Sequence, residues 1–177
     1  VHAGGGGMSK MRVTPPAAGN DPIASSPLAL QPVLLERFNR VYATLWSHGE
    51  LDHLSKETAR LRNADKVGCV FCRSVRFSKA VDEGLNEQQV DALQGRGDVD
   101  TLSERQRLIQ VYTDAFLQDP NGLHEDIKAQ MLSEFSPAQI VELTAGLALF
   151  MGFSKIAVSL GGMPDSLPPM TMPTPDY

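Results

Sequence analysis

The same helix-start device occurs three times between residues 86 and 139 of this chain, and it fixes much of what the chain can fold into. Asn86 precedes Gln89, Ser103 precedes Gln106 and Ser136 precedes Gln139, each by three positions. In each pair the short polar side chain can cap the third helical amide while the glutamine returns the bond. Two of the donors that a helix start leaves open are thereby satisfied. Pro137 strengthens the last of the three, because its fixed φ suits the first helical position. Helices are predicted over 87–94, 104–118 and 137–160.

The apolar spacing elsewhere is helical as well. Leu30, Leu34, Phe38, Val41 and Leu45 step by three or four residues. They predict a first helix from about Pro27 to Ser47, with that stripe inward and Gly49 as a left-handed stop. Asp52 is placed to cap a second helix over 54–65. A third is predicted from the cysteine pair to about Glu83, with Phe71, Val75 and Val81 inward. Leu123, Ile127, Met131 and Phe135 step by fours down a further short helix. The last helix, with Ile140, Leu143, Leu147, Phe150, Met151 and Ala157 around its axis, is expected to be buried on most sides. No period-2 pattern marks a strand. The expected fold is all-α, with about six to seven helices.

A chain of 177 residues can bury a core without disulfide staples. Residues 1–27, rich in Gly, Pro, Ala and Ser, are expected to be a flexible N-terminal arm. Residues 28–162 form the expected single domain, and 163–177 an extended C-terminal tail. The net charge of −5 argues against a nucleic-acid surface, which is usually basic. No membrane association is expected either, since the uncharged run Leu143–Ser154 is shorter than the roughly 20 residues needed to span a bilayer. No apolar leader segment follows Met8 or Met11, and a reducing cytoplasm is the expected setting.

The chemistry-bearing stretch is Cys69-Val70-Phe71-Cys72, which holds both of the chain's cysteines. A C-x-x-C pair is a redox dithiol, half of a zinc site or a structural coincidence. Zinc needs a second pair of ligands, and none follows at a suitable spacing. His48 and His53 stand five apart in a polar turn and make a poor metal pair. The redox reading therefore leads, and neither metal nor organic cofactor is expected. Thiols in a first helical turn meet unpaired amides and the positive end of the helix dipole, which favours thiolate. Arg76, four residues beyond Cys72, would share its helix face and act as a thiolate stabiliser.

These residues also carry a resemblance. Gly49-x-Leu51-Asp52, Lys56-Glu57-Thr58-Ala59-Arg60-Leu61-Arg62, Gly68-Cys69-Val70-Phe71-Cys72 and Ala80-x-x-x-Gly84-Leu85 together resemble the carboxymuconolactone decarboxylase superfamily in its alkylhydroperoxidase D-like branch. The resemblance is strong over 49–93 and weaker over 103–160, where Phe135-Ser136-Pro137 and Ile140-Val141-Glu142-Leu143 carry it. It implies an all-helical bundle that assembles as a homo-oligomer. It further implies a peroxidase-type, thiol-dependent antioxidant activity on a hydroperoxide or disulfide substrate, renewed by a dithiol reductant protein. By the same resemblance Cys72 attacks the substrate, Cys69 resolves the product as a disulfide, and Glu57 takes part in proton transfer. The family's two histidines are replaced here by Phe71 and Arg76. Arginine stays charged and cannot accept a proton, so the relay lacks its central member. His53, four residues before Glu57, is a candidate substitute. Two other readings remain: decarboxylation of a small lactone acid, and a non-redox helical oligomer with vestigial cysteines.

Overall fold

The computed structural model describes residues 12–14 and 27–177. The expected arm over 1–27 therefore lies almost wholly outside the described residues. Within them, Arg12 bonds to the end of the last helix through the carbonyls of Ser159 and Leu160.

The fold is all-α. Its helices are α1 (Pro32–Ser47), α2 (His53–Val67), α3 (Val70–Ser74), α4 (Ser78–Asp82), α5 (Glu87–Leu93), α6 (Glu104–Gln118), α7 (Glu125–Glu134) and α8 (Pro137–Leu160). Asn86, Ser103 and Ser136 each form a reciprocal capping box with their glutamine, as the sequence predicts. Asp52 caps α2 by accepting from Ser55 N at 2.7 Å. Helix α2 is the hub. It packs against α6 and α8 and also touches α3, α4 and α5, so its residues Ser55 to Ala64 are all buried.

Burying polar side chains costs free energy unless they find partners, and the polar residues of α2 find them on neighbouring elements. Lys56 pairs with Glu142 of α8 at 2.6 Å. Arg62 grips Asp114 of α6. Glu142 also accepts from the amides of Glu50 and Leu51. Its carboxylate lies so close to Gly49 that an added Cβ would stand 1.7 Å from Oε1. Gly49 thus leaves room for that carboxylate, which a side chain here would displace from Lys56 and the two amides. It is not the left-handed stop expected, since α1 ends at Ser47 with His48 as its capping residue, and Gly49 is absent from the positive-φ glycines.

Further expectations are corrected. The predicted third helix is broken: α3 ends at Ser74, Val75–Phe77 forms strand β1, and α4 follows. A continuous helix would need the Cys72 carbonyl for the Arg76 amide. Arg60 takes that carbonyl instead at 2.7 Å, and Phe77 N donates to Glu57. Second, the C-terminal segment is not simply an extended tail. Met170–Met172 forms β2, which pairs in parallel with β1, Arg76 opposite Thr171. Buried Thr174 then accepts from Lys79 N and donates its own amide to Ser78 Oγ. Third, α1 turns its aromatic residues inward. Leu30, Leu34 and Val41 are exposed, while Trp46 is buried in a cluster with Tyr42, Phe77 and Phe150. The larger aromatic area outweighs the leucine stripe.

Helix α8 is buried along one face, at Leu143, Gly146, Leu147, Phe150 and Ser154, and not on most sides as expected. It is long and apolar enough, by length and composition, to cross a membrane, and here it serves as a core helix against α2.

Candidate active site

The cysteine pair is delivered by the end of α2. Gly68 adopts the left-handed conformation (φ 75°) that a side chain would oppose, and its amide and that of Cys69 close the last turn on the Ala64 carbonyl. The chain then turns directly into α3 with Cys69 as the capping residue. Cys69 Sγ accepts from the Cys72 amide at 3.2 Å. The sulfur that receives the helix-start amide is therefore Cys69.

Cys69 and Cys72 are joined as a disulfide, with Cα atoms 5.2 Å apart. Their environments differ sharply. Cys69 is 0% exposed, in a cluster with Val70 and Met163. Cys72 is half-buried, and Phe71 beside it is 37% exposed and does not face inward as expected. A reagent arriving from solvent thus meets Cys72 first. On the protein side, Ser154 Oγ of α8 lies 3.5 Å from Cys72 Sγ, and Asn63 Nδ2 of α2 donates to that hydroxyl at 3.1 Å.

Glu57 lies at the core of the site's frame and is 0% exposed. Arg60 holds it through Nε and Nη2, both at 2.7 Å, and Phe77 N reaches Oε1 at 3.1 Å. Arg60 also donates to the carbonyls of Cys72 and Val75 at 2.7 and 2.6 Å, and lies over the Phe77 ring. Burial works against the Arg60 charge, but adjacent Glu57 outweighs it and raises the guanidinium pKa. The Tyr42 phenol nearby is pushed up to about 12, chiefly by burial, with Glu57 adding and Arg60 opposing. Glu57 therefore connects to the cysteine loop through Arg60 and the backbone.

Arg76 does not share a helix face with Cys72, because it stands on β1. Its guanidinium grips Glu87 at 2.9 and 3.0 Å and donates to the carbonyls of Arg73 and Val75. It makes no hydrogen bond to either sulfur, so the geometry gives it a bracing role in place of the expected thiolate contact. His53 is also drawn elsewhere. Its ring stacks on Trp46 with an interplanar angle of 4°. Burial lowers its pKa below 6.5, with Lys56 and Lys79 adding and Glu83 and Asp52 opposing. It makes no hydrogen bond to Glu57. His48 turns its Nδ1 to Ser47, so the two histidines do not converge.

Sequence reasoning overlooked Arg60, Asn63 and Ser154. Arg60 is three residues after Glu57, an ion-pair spacing on a helix, and that signal was available. The meeting of Asn63 with Ser154 across two helices leaves no local trace.

No family model matches this chain. Two curated relatives, uncharacterized proteins of Mycobacterium tuberculosis strains CDC 1551 / Oshkosh and H37Rv, are each 32% identical over 111 residues. The match covers 63% of this chain and 39% of each relative, so the chain spans well under half of their length. Among solved structures, a protein of unknown function from Agrobacterium tumefaciens, provisionally designated antioxidant defence protein AhpD, superposes with a TM-score of 0.60. It is 22% identical, and the match covers 91% of this chain and 99% of that one. The likeness establishes the fold as an AhpD-like helical bundle.

Proposed function

We propose that this protein is a thiol-dependent oxidoreductase of the antioxidant type, in which Cys69 and Cys72 cycle between dithiol and disulfide. The observation that carries the reading is the asymmetry of the pair: Cys72 is reachable from solvent while Cys69 is sealed behind it and bonded to a helix-start amide. In the reducing half-cycle, a thiolate of a dithiol reductant protein attacks Cys72 Sγ, and Cys69 leaves as thiolate facing the Cys72 amide. The reductant's second thiol then attacks its own mixed-disulfide sulfur, and Cys72 leaves with the electron pair.

In the oxidising half-cycle, Cys72 thiolate attacks a protein disulfide or a hydroperoxide. With a disulfide, one substrate sulfur leaves as thiolate, and Cys69 then attacks Cys72 Sγ and expels the other. With a hydroperoxide the O–O bond breaks, one oxygen goes to Cys72 as sulfenic acid, and the other leaves as alkoxide and takes a proton from water. Cys69 then displaces hydroxide and restores the disulfide. Disulfide exchange is the better supported of the two. It needs no proton relay, whereas Glu57 is held by Arg60 and neither Arg76 nor His53 bonds to it. A homo-oligomer in the cytoplasm is the proposed setting. The exposed apolar residues Val33, Leu34 and Val41 of α1 and Val141 of α8 supply surface that a second copy would cover.

The test is consumption of a supplied dithiol in the presence of either a disulfide or a hydroperoxide. Turnover is expected for the native chain and absent for Cys69→Ser and Cys72→Ser. Full activity in the double Cys→Ser protein would assign the work to something other than the sulfurs and return the non-redox reading.

A further inference from the structure

We propose that Asn63 and Ser154 form a directed hydrogen-bond relay that holds Cys72 as a thiolate, making them positioning residues of the dithiol. The proposal rests on the redox reading above and adds to it the groups that poise the attacking sulfur.

The first observation is where the Ser154 hydroxyl goes. Several hydroxyls within the helices bond back to the carbonyl four residues earlier, among them Thr58 to Leu54, Ser74 to Val70, Thr113 to Ile109 and Thr144 to Ile140, while Ser55 and Ser159 also bond within their own helix or its cap. That is the local default for Ser and Thr in helices. Ser154, 2% exposed, instead lies against Cys72 Sγ at 3.5 Å.

The second observation is what directs it. Asn63 Nδ2 donates to Ser154 Oγ at 3.1 Å. With that oxygen accepting from Asn63, the serine proton is turned outward to the sulfur. Asn63 is 1% exposed and its Oδ1 has no partner. A half-satisfied buried amide is costly where α2 could carry an apolar residue. Its single bond runs to the serine that faces the cysteine.

The relay acts on one bond change. When the Cys69–Cys72 disulfide is reduced by an external dithiol, two electrons enter, the S–S bond breaks, and the reductant closes its own disulfide. Cys72 and Cys69 each carry away an electron pair, and the two protons lost by the reductant pass to solvent and to Cys69. Ser154 keeps its proton and donates a charge-assisted hydrogen bond to the anion, which is stronger than the same bond to a neutral sulfur. The thiolate is thereby favoured and remains ready to attack. Ser154 holds and orients; it does not react.

The experiment uses the full chain in a Cys69→Ser background, which keeps a good capping residue and leaves Cys72 as the single thiol. Alkylation by iodoacetamide is followed from pH 5 to pH 10, with melting curves as the check on folding. Adding Ser154→Ala is expected to slow alkylation about tenfold at pH 7, with the rates converging at high pH where the thiol is ionised regardless. Asn63→Ala is expected to slow it less, in the same direction, and supplies the same readout from the other end of the relay. Ser154→Thr, which keeps the hydroxyl, is expected to retain the parent profile. An unchanged profile in folded Ser154→Ala protein, with the parent faster than free cysteine, overturns the relay and leaves the redox reading standing. A parent that reacts no faster than free cysteine overturns both.

Discussion

Arg60 clasps the carboxylate of Glu57 with two nitrogens at 2.7 Å, and neither side chain is accessible to solvent beyond a few per cent. The rest of the guanidinium closes onto the Cys72 and Val75 carbonyls. The pair therefore joins the hub helix to the loop that carries the dithiol, and its charges compensate each other where water does not reach.

Removing one partner should be worse than replacing both with apolar residues. Glu57→Ala leaves a buried arginine without its counter-charge, and a loss of about 3–5 kcal/mol in urea unfolding is expected. Glu57→Leu with Arg60→Met should recover only part of that loss. The double variant also deprives the Cys72 and Val75 carbonyls of their donor. Full recovery would show that the bonds to those carbonyls contribute little.

His53 supplies a pH signature. Its pKa lies below its ordinary 6.5, foremost through burial, so the folded state resists protonation. The sign follows from linkage: the unfolded chain binds the proton more readily, so stability is fully present above about pH 6.5 and falls as pH drops toward the folded pKa. His53→Phe preserves an aromatic ring against Trp46 and removes the titration. Denaturation midpoints from pH 8 to pH 5 should show a shallower acid decline in the variant. Identical declines would assign the slope to other groups.

Thr174 fastens the C-terminal segment beside the site. Its hydroxyl accepts from Lys79 N at 2.9 Å, and its amide donates to Ser78 Oγ at 3.2 Å. Thr174→Val is expected to cost about 1–3 kcal/mol, because a backbone amide loses its acceptor. Hydrogen exchange should quicken at residues 75–79, where β1 and the start of α4 depend on this contact. Destabilisation without local quickening would point to a global effect and against this docking.

The sequence was most legible where the determinants are local. Asn86, Ser103 and Ser136 form their capping boxes with glutamines three residues away, and the structure places all three as read. Strand β1 was illegible because three residues become a strand only by pairing with Met170–Met172, far along the chain. That same pairing moved Arg76 off the helix on which its expected contact depended. The α1 stripe misled because two helical faces compete on one helix, and the side carrying Tyr42 and Trp46 turns inward. At the site, the thiol pair was plain from spacing. Which sulfur is sealed, and what faces the other, follows from how α3 and α8 pack.

The most direct measurement compares the two single-cysteine proteins. Reduced Cys69→Ser and Cys72→Ser are each mixed with an aromatic disulfide reagent at pH 7, and formation of the mixed disulfide is timed. The account predicts a fast reaction for Cys69→Ser, whose remaining thiol is Cys72, and a slow one for Cys72→Ser, whose thiol is 0% exposed. The reverse order, or two rates no faster than free cysteine, would contradict it.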